Sequence, residues 1–151
     1  MNAYRIPPDS FGVIVLLFAC MLAVTGRSAP LAQERKAAEP SGKLLVVWTS
    51  GDREVALNMV FMYTYNAKKN GWWKDVRLVV WGPSAKLLSQ DTELQEYVKK
   101  MKDAGVEFLA CKACADTYKV SPALAALGVE VKYMGAPLTE MLKSGWTTLT
   151  F

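Results

Sequence analysis

A chain of 151 residues without a single histidine excludes the Ser/His and Cys/His nucleophilic pairs and most kinds of zinc site. Its net charge of +4 is mild, and setting aside residues 1–32, with Arg5, Arg27 and Asp9, lowers it only to +3. The basic residues are scattered among acids, as in Lys68-Lys69 and Lys99-Lys100, so they describe a solvated surface and no nucleic-acid partner is expected. Along the chain, Arg5 precedes the apolar run Phe11–Val24. That run falls short of the roughly 18–20 residues a membrane-spanning helix needs. It fits the core of a signal peptide, about 7–15 apolar residues. Val24-Thr25-Gly26 and Ser28-Ala29 offer cleavage sites, and Leu17-Phe18-Ala19-Cys20 loosely resembles a lipoprotein box. Residues 1–32 are therefore read as a signal peptide or membrane anchor, 33–42 as a linker and 43–151 as the folded domain. The expected location is the periplasm, free or anchored facing it.

The folded part reads as alternating strands and helices. Lys43-Leu-Leu-Val-Val-Trp-Thr-Ser is a nearly continuous apolar run, suited to a strand buried on both faces. Ser50-Gly51-Asp52 supplies capping side chains, and helical spacing follows from Glu54 to Lys69 with Val55, Met59, Met62 and Tyr63. Val76–Trp81 is the second strand, closed by Gly82-Pro83, and a short helix spans about Ser84–Leu88. From Asp91 a helix carries Leu94, Tyr97, Val98 and Met101 on one side and stops at Gly105. Val106–Ala110 is the third strand, Cys111–Tyr118 and Ser121–Gly128 are short helices, and Val129–Met134 is the fourth strand. Pro137–Ser144 is a helix and Trp146–Phe151 a last strand. This order, βαβααβααβαβ, predicts one α/β domain with a parallel sheet and helices on both faces.

Cys111 and Cys114 carry the strongest chemical signal. A thiol where a strand hands over to a helix meets unpaired backbone N–H groups that favour its thiolate, so a lowered thiol pKa is expected at Cys111. Set against this reading are a disulfide, a buried inert pair, and a metal site closed by a second subunit's cysteines. No metal or cofactor is expected. Parallel strand ends gather Thr49-Ser50-Gly51, Trp81–Ser84, Cys111 and Tyr133–Gly135 on the edge where such sheets bind ligands. Thr49 and Ser50 are weak substrate-contact candidates there, with helix capping as the plainer role. Lys112 is a weak candidate for steadying a thiolate and is otherwise a solvated lysine. Trp48 and Trp81 either line a pocket or fill the core. Trp72-Trp73, Met59, Met62, Tyr63 and Tyr65 read as core or subunit-interface packing.

Ala110-Cys-Lys-Ala-Cys-Ala-Asp-Thr-Tyr-Lys-Val resembles the DsrE family of small sulfur-handling proteins, in its subset with a CxxC pair. Leu127-Gly-Val-Glu-Val-Lys-Tyr-Met-Gly, Leu142–Phe151 and the turn Thr49-Ser50-Gly51-Asp52 add to the likeness, which spans Lys43–Phe151. The resemblance implies a three-layer α/β/α fold with a mainly parallel five-stranded sheet, and assembly into homotrimers or homohexamers. It also implies a cysteine carrying sulfur as a persulfide, matched here by Cys111, with Cys114 matching the second cysteine. The expected function is handling of sulfane sulfur, as a persulfide carrier or sulfurtransferase-like relay, or thiol–disulfide exchange. Donor and acceptor are left open. The alternative is a ligand-binding or assembly subunit with a structural cysteine pair. Tyr118-Lys119 stands where the family often carries Arg-Gly, and the signal-like N-terminus departs from the well-known members.

Overall fold

The structure, a computed structural model, describes residues 42–151; residues 1–32, expected to be a signal peptide or anchor, and nearly all of the expected linker 33–42 lie outside the described residues. Strand β1 is Lys43–Trp48 and β2 is Asp75–Val80. Between them α1 runs as three consecutive stretches, Arg53–Val55, Ala56–Phe61 and Met62–Lys69. Asp52 caps its start, accepting from the N–H groups of Glu54 and Val55. The remaining elements are α2 (Pro83–Gln90), α3 (Thr92–Asp103), β3 (Glu107–Cys111), α4 (Lys112–Thr117) and α5 (Ser121–Ala126). Then come β4 (Glu130–Lys132), α6 (Gly135–Lys143) and β5 (Thr147–Thr150). The middle stretch of α1, Ala56–Phe61, is π-helical, a departure from the regular helix expected. Its apolar spacing fits either winding, because one residue of hydrogen-bond offset leaves the buried face nearly unchanged.

All strand pairs are parallel, in the order β4-β3-β2-β1-β5. The chain steps from β1 to β4 in one direction, then crosses back to set β5 beside β1. Right-handed crossovers put α1–α5 on one face and α6 on the other. Packing follows that division. Leu44, Val46 and Trp48 meet Phe61, Leu88, Leu94 and Val98 on the five-helix face; Leu45, Val47, Val79 and Leu109 meet Met134, Leu138 and Met141 on the α6 face. The sheet is thus the middle of three layers.

The aromatic residues divide between roles. Trp48 is fully buried, edge-on to Phe61 at 5.0 Å between ring centres. Trp73 packs against the five-helix core, while its neighbour Trp72 is 54 % exposed. Met59 and Met62 are half-exposed on α1 and lie outside the core. Between α4 and α5 the chain turns through Lys119 at φ +58°, the one non-glycine among the described residues in the left-handed region. That is the position where the resemblance leads one to expect glycine, which takes this conformation without the steric cost.

Candidate functional site

The connections leaving β3 and β4 take opposite faces, β3 into α4 on the five-helix side and β4 into α6 on the other. In an open parallel sheet, a crevice forms at the C-terminal ends of neighbouring strands whose connections diverge. Cys111 ends β3 at this crevice, and Tyr133-Met134 follows β4 across it.

Strand parity decides where the thiol points. Phe108 and Ala110 pack into the five-helix core, so Leu109 and Cys111 turn to the α6 face. Cys111 is extended (φ −71°, ψ 110°) and immediately precedes α4. It is 5 % exposed, whereas Cys114, a turn further on, is half-buried, and both thiols are free. Met134, Trp81 and Leu138 belong to the same apolar cluster. Burial pushes the Cys114 thiol up, and its S–H, donated to the Cys111 sulfur, pushes it further. The backbone N–H of Gly82, donated to the Cys114 sulfur, offsets part of this. Gly82 sits at φ +70°, ψ −135°, and a Cβ there would meet nothing within 4 Å. Glycine is required at this turn for the backbone angle, not for space. The net direction favours the neutral form of the Cys114 thiol.

The weaker candidates are occupied elsewhere. The Thr49 hydroxyl donates to the Phe151 carbonyl at 2.6 Å, and that carbonyl also accepts from the backbone N–H groups of Thr49 (2.7 Å) and Ser50 (3.1 Å). The Ser50 hydroxyl accepts from the Asp52 N–H at 3.1 Å. These bonds pin the end of β5 to β1 and shape the entry to α1. Lys112 pairs with Asp116, whose other oxygen accepts from the Ser121 hydroxyl at 2.6 Å, and lies 5.6 Å from the Tyr133 ring centre. Asp116 first, then its charge, raises the Lys112 ammonium above its ordinary range, and Lys112 in turn holds the Asp116 carboxyl below its own. Among the described residues there is no cluster of three or more Cys, Asp or Glu able to hold a metal ion.

The residue that sequence reasoning missed is Lys132. It is the register partner of Cys111 in β4, with Glu130 opposite Leu109. The alternation Val129-Glu-Val-Lys already sets Glu130 and Lys132 on one face. Which cysteine they flank depends on a strand register that sequence does not display.

An open parallel α/β domain with a free thiol pair in its switch-point crevice is the class this geometry defines. The family model described as DsrE/DsrF-like matches residues 42–151, and the chain belongs to that family. A solved structure of a conserved protein of unknown function from Bacteroides thetaiotaomicron is 38% identical, with a TM-score of 0.70. The match covers 72% of this chain and 94% of that one. A search among curated proteins finds no match.

Proposed function

We propose that this domain takes up sulfane sulfur on Cys111, with Cys114 as the resolving thiol. The observation carrying this reading is the pair itself: two free cysteines in mutual contact at the crevice of a DsrE-family sheet. The Cys111 thiolate attacks the outer sulfur of a persulfide donor R–S–SH. A Cys111 S–S bond forms, the donor S–S bond breaks, and R–S⁻ leaves with the proton of the transferred sulfur as R–SH. Cys114 then attacks the Cys111 Sγ. The 111–114 disulfide forms, hydrosulfide leaves with the Cys114 proton, and sulfane sulfur is reduced as two thiols are oxidised. A dithiol reductant restores the pair. The Cys114 thiol passes its proton to the terminal persulfide sulfur and attacks as the thiolate, so the proton departs with the hydrosulfide and this route needs no histidine. Proximity makes the second step intramolecular and fast.

The test is intact mass after incubation with a persulfide donor. Cys114→Ser gains one sulfur and keeps it, Cys111→Ser gains none, and wild type releases hydrosulfide and ends about two mass units lighter, as the 111–114 disulfide. Equal loading of both variants, or none in Cys114→Ser, defeats the proposal.

The low exposure of Cys111 favours a second reading, a binding or assembly subunit in which the pair only packs. Under it, both thiols label only on unfolding. The proposal also takes residues 1–32 as the export signal or anchor and has the chain self-associate. Half-exposed Met59 and Met62 and exposed Trp72 are the surface self-association would cover. Light scattering at micromolar concentration checks this, and a monomer would remove it.

A further inference from the structure

The α6 face of the sheet is apolar only in part. Toward the strand starts this face presents Lys43, Asp75, Arg77 and Glu107, and on edge strand β4, beside Leu109 and Cys111, it presents Glu130 and Lys132; these six line a cavity of about 540 Å³ beside α6. Arg77 is spoken for: its Nε lies 2.5 Å from Glu107, and its guanidinium stacks on the Trp146 ring at 4.7 Å. Lys132 is different. It lines the cavity at the crevice end, on the same face as Cys111 and directly beside it in the β3–β4 register. Its ammonium is 3.0 Å from Glu130, a surface carboxylate two residues back on its own strand.

We propose that Lys132 is the positioning residue for Cys111, the cation that steadies negative charge on the Cys111 sulfur, with Glu130 as the competitor that holds it in reserve. This rests on the sulfur-carrier reading for its purpose but not for its test. The charged and titratable groups around Cys111 are few. Strand β4 brings Lys132 and Glu130, and α4 brings Cys114, Lys112 and Asp116. Just after β2 comes uncharged Trp81; Tyr133 and Met134 follow β4, and α6 brings Leu138 and, lining the same cavity as Lys132, Glu140. Lys112 is tied to Asp116. A sulfur anion therefore draws on Lys132, whose attraction is strong because Cys111 lies in an apolar cluster. An exposed Glu130–Lys132 pair is weak and is readily exchanged for a better partner.

The experiment is alkylation of Cys111 in the full-length chain, resolved by site with mass spectrometry. At neutral pH, Lys132→Gln should slow Cys111 labelling by about threefold or more, the size expected from losing one nearby opposite charge. Glu130→Gln should speed it, and this gain should vanish in the Glu130→Gln/Lys132→Gln double variant. Lys112→Gln should leave the rate unchanged. At strongly alkaline pH, where every thiol is ionised, all variants should converge on wild type. An unchanged or faster rate in Lys132→Gln overturns the proposal. So does a slowing that persists at alkaline pH, since that reports altered packing over the thiol. Circular dichroism confirms that each variant is folded. A protein that shows the charge effect, yet whose Cys114→Ser variant never gains sulfur from a donor, keeps Lys132 as the partner of Cys111 and discards the carrier function.

Discussion

On the five-helix side, β1 and β2 present Leu44, Val46, Trp48, Val76, Leu78 and Val80, and all six are buried beneath helices. On the α6 side, the same strands present Lys43 and Asp75, then Leu45 and Arg77, and turn wholly apolar only at Val47 and Val79. One helix covers that apolar end, and the charged end borders a cavity. The difference teaches that the two layers answer different demands. The five-helix layer buries the apolar surface that offsets the entropy of folding. The α6 layer buries just enough to seat a thiol pair and spends its other positions on charge.

This contrast can be broken by substitution. Phe61, fully buried between Trp48 and Tyr97, belongs to the heavy layer. Phe61→Ala should cost about 3–5 kcal/mol in urea unfolding. A cost below about 1 kcal/mol would mean that the five-helix side does not carry the stability. Asp91 sits at the junction of α2 and α3. It caps α3 by accepting the Leu94 N–H at 3.0 Å and binds Arg53 Nε at 2.8 Å. Asp91→Ala should cost about 1–2 kcal/mol. The Leu94 N–H first, then Arg53, hold the Asp91 carboxyl below its ordinary range. Its contribution is therefore present above the usual carboxylate pKa and is lost as pH falls through the lowered one. Acid unfolding of the wild type and Asp91→Ala should converge at low pH, and parallel curves would contradict this. A smaller effect, opposite in sign, is expected at Lys119. Lys119→Gly relieves the left-handed conformation and should raise stability by about 0.5–1 kcal/mol, seen as a higher thermal midpoint. The smallest effect belongs to the light layer. Arg77→Ala removes a half-exposed pair with Glu107 and should change stability by less than about 1 kcal/mol. A loss as large as that of Phe61→Ala would make the charged half structural after all.

Much of this architecture could be read from residues alone. The runs Lys43–Ser50 and Val106–Ala110, with amphipathic helices between Gly and Pro stops, give the element order and the parallel sheet. Family resemblance supplies the three layers. The CxxC placement at a strand end was legible for the same local reason. What escaped was long-range. Thr49 and Ser50 read as helix caps or weak substrate contacts at the sheet edge, yet both donate to the carbonyl of Phe151, which lies 102 positions beyond Thr49. Lys112 was noticed because it adjoins Cys111 in sequence, but a helical neighbour points elsewhere and pairs with Asp116. Lys132, 21 positions downstream, adjoins Cys111 in the sheet. The π-helical stretch of α1 also left no mark, because its apolar spacing satisfies either winding.

The parity of β3 has a consequence for anyone who would redesign this protein. Ala110 is fully buried in the five-helix core, while Cys111, the next residue, belongs to the crevice. A strand tolerates no intermediate setting: a one-residue shift sends every side chain to the opposite face. Transplanting the cysteine back by one position, as Ala110→Cys with Cys111→Ala, would lodge a sulfur among Phe108, Val80 and Ala115 with no opening to a donor. The sequence would keep two cysteines near the same helix start and lose the use of one, so a count of thiols in a relative says less than whether they fall on odd or even places of the strand.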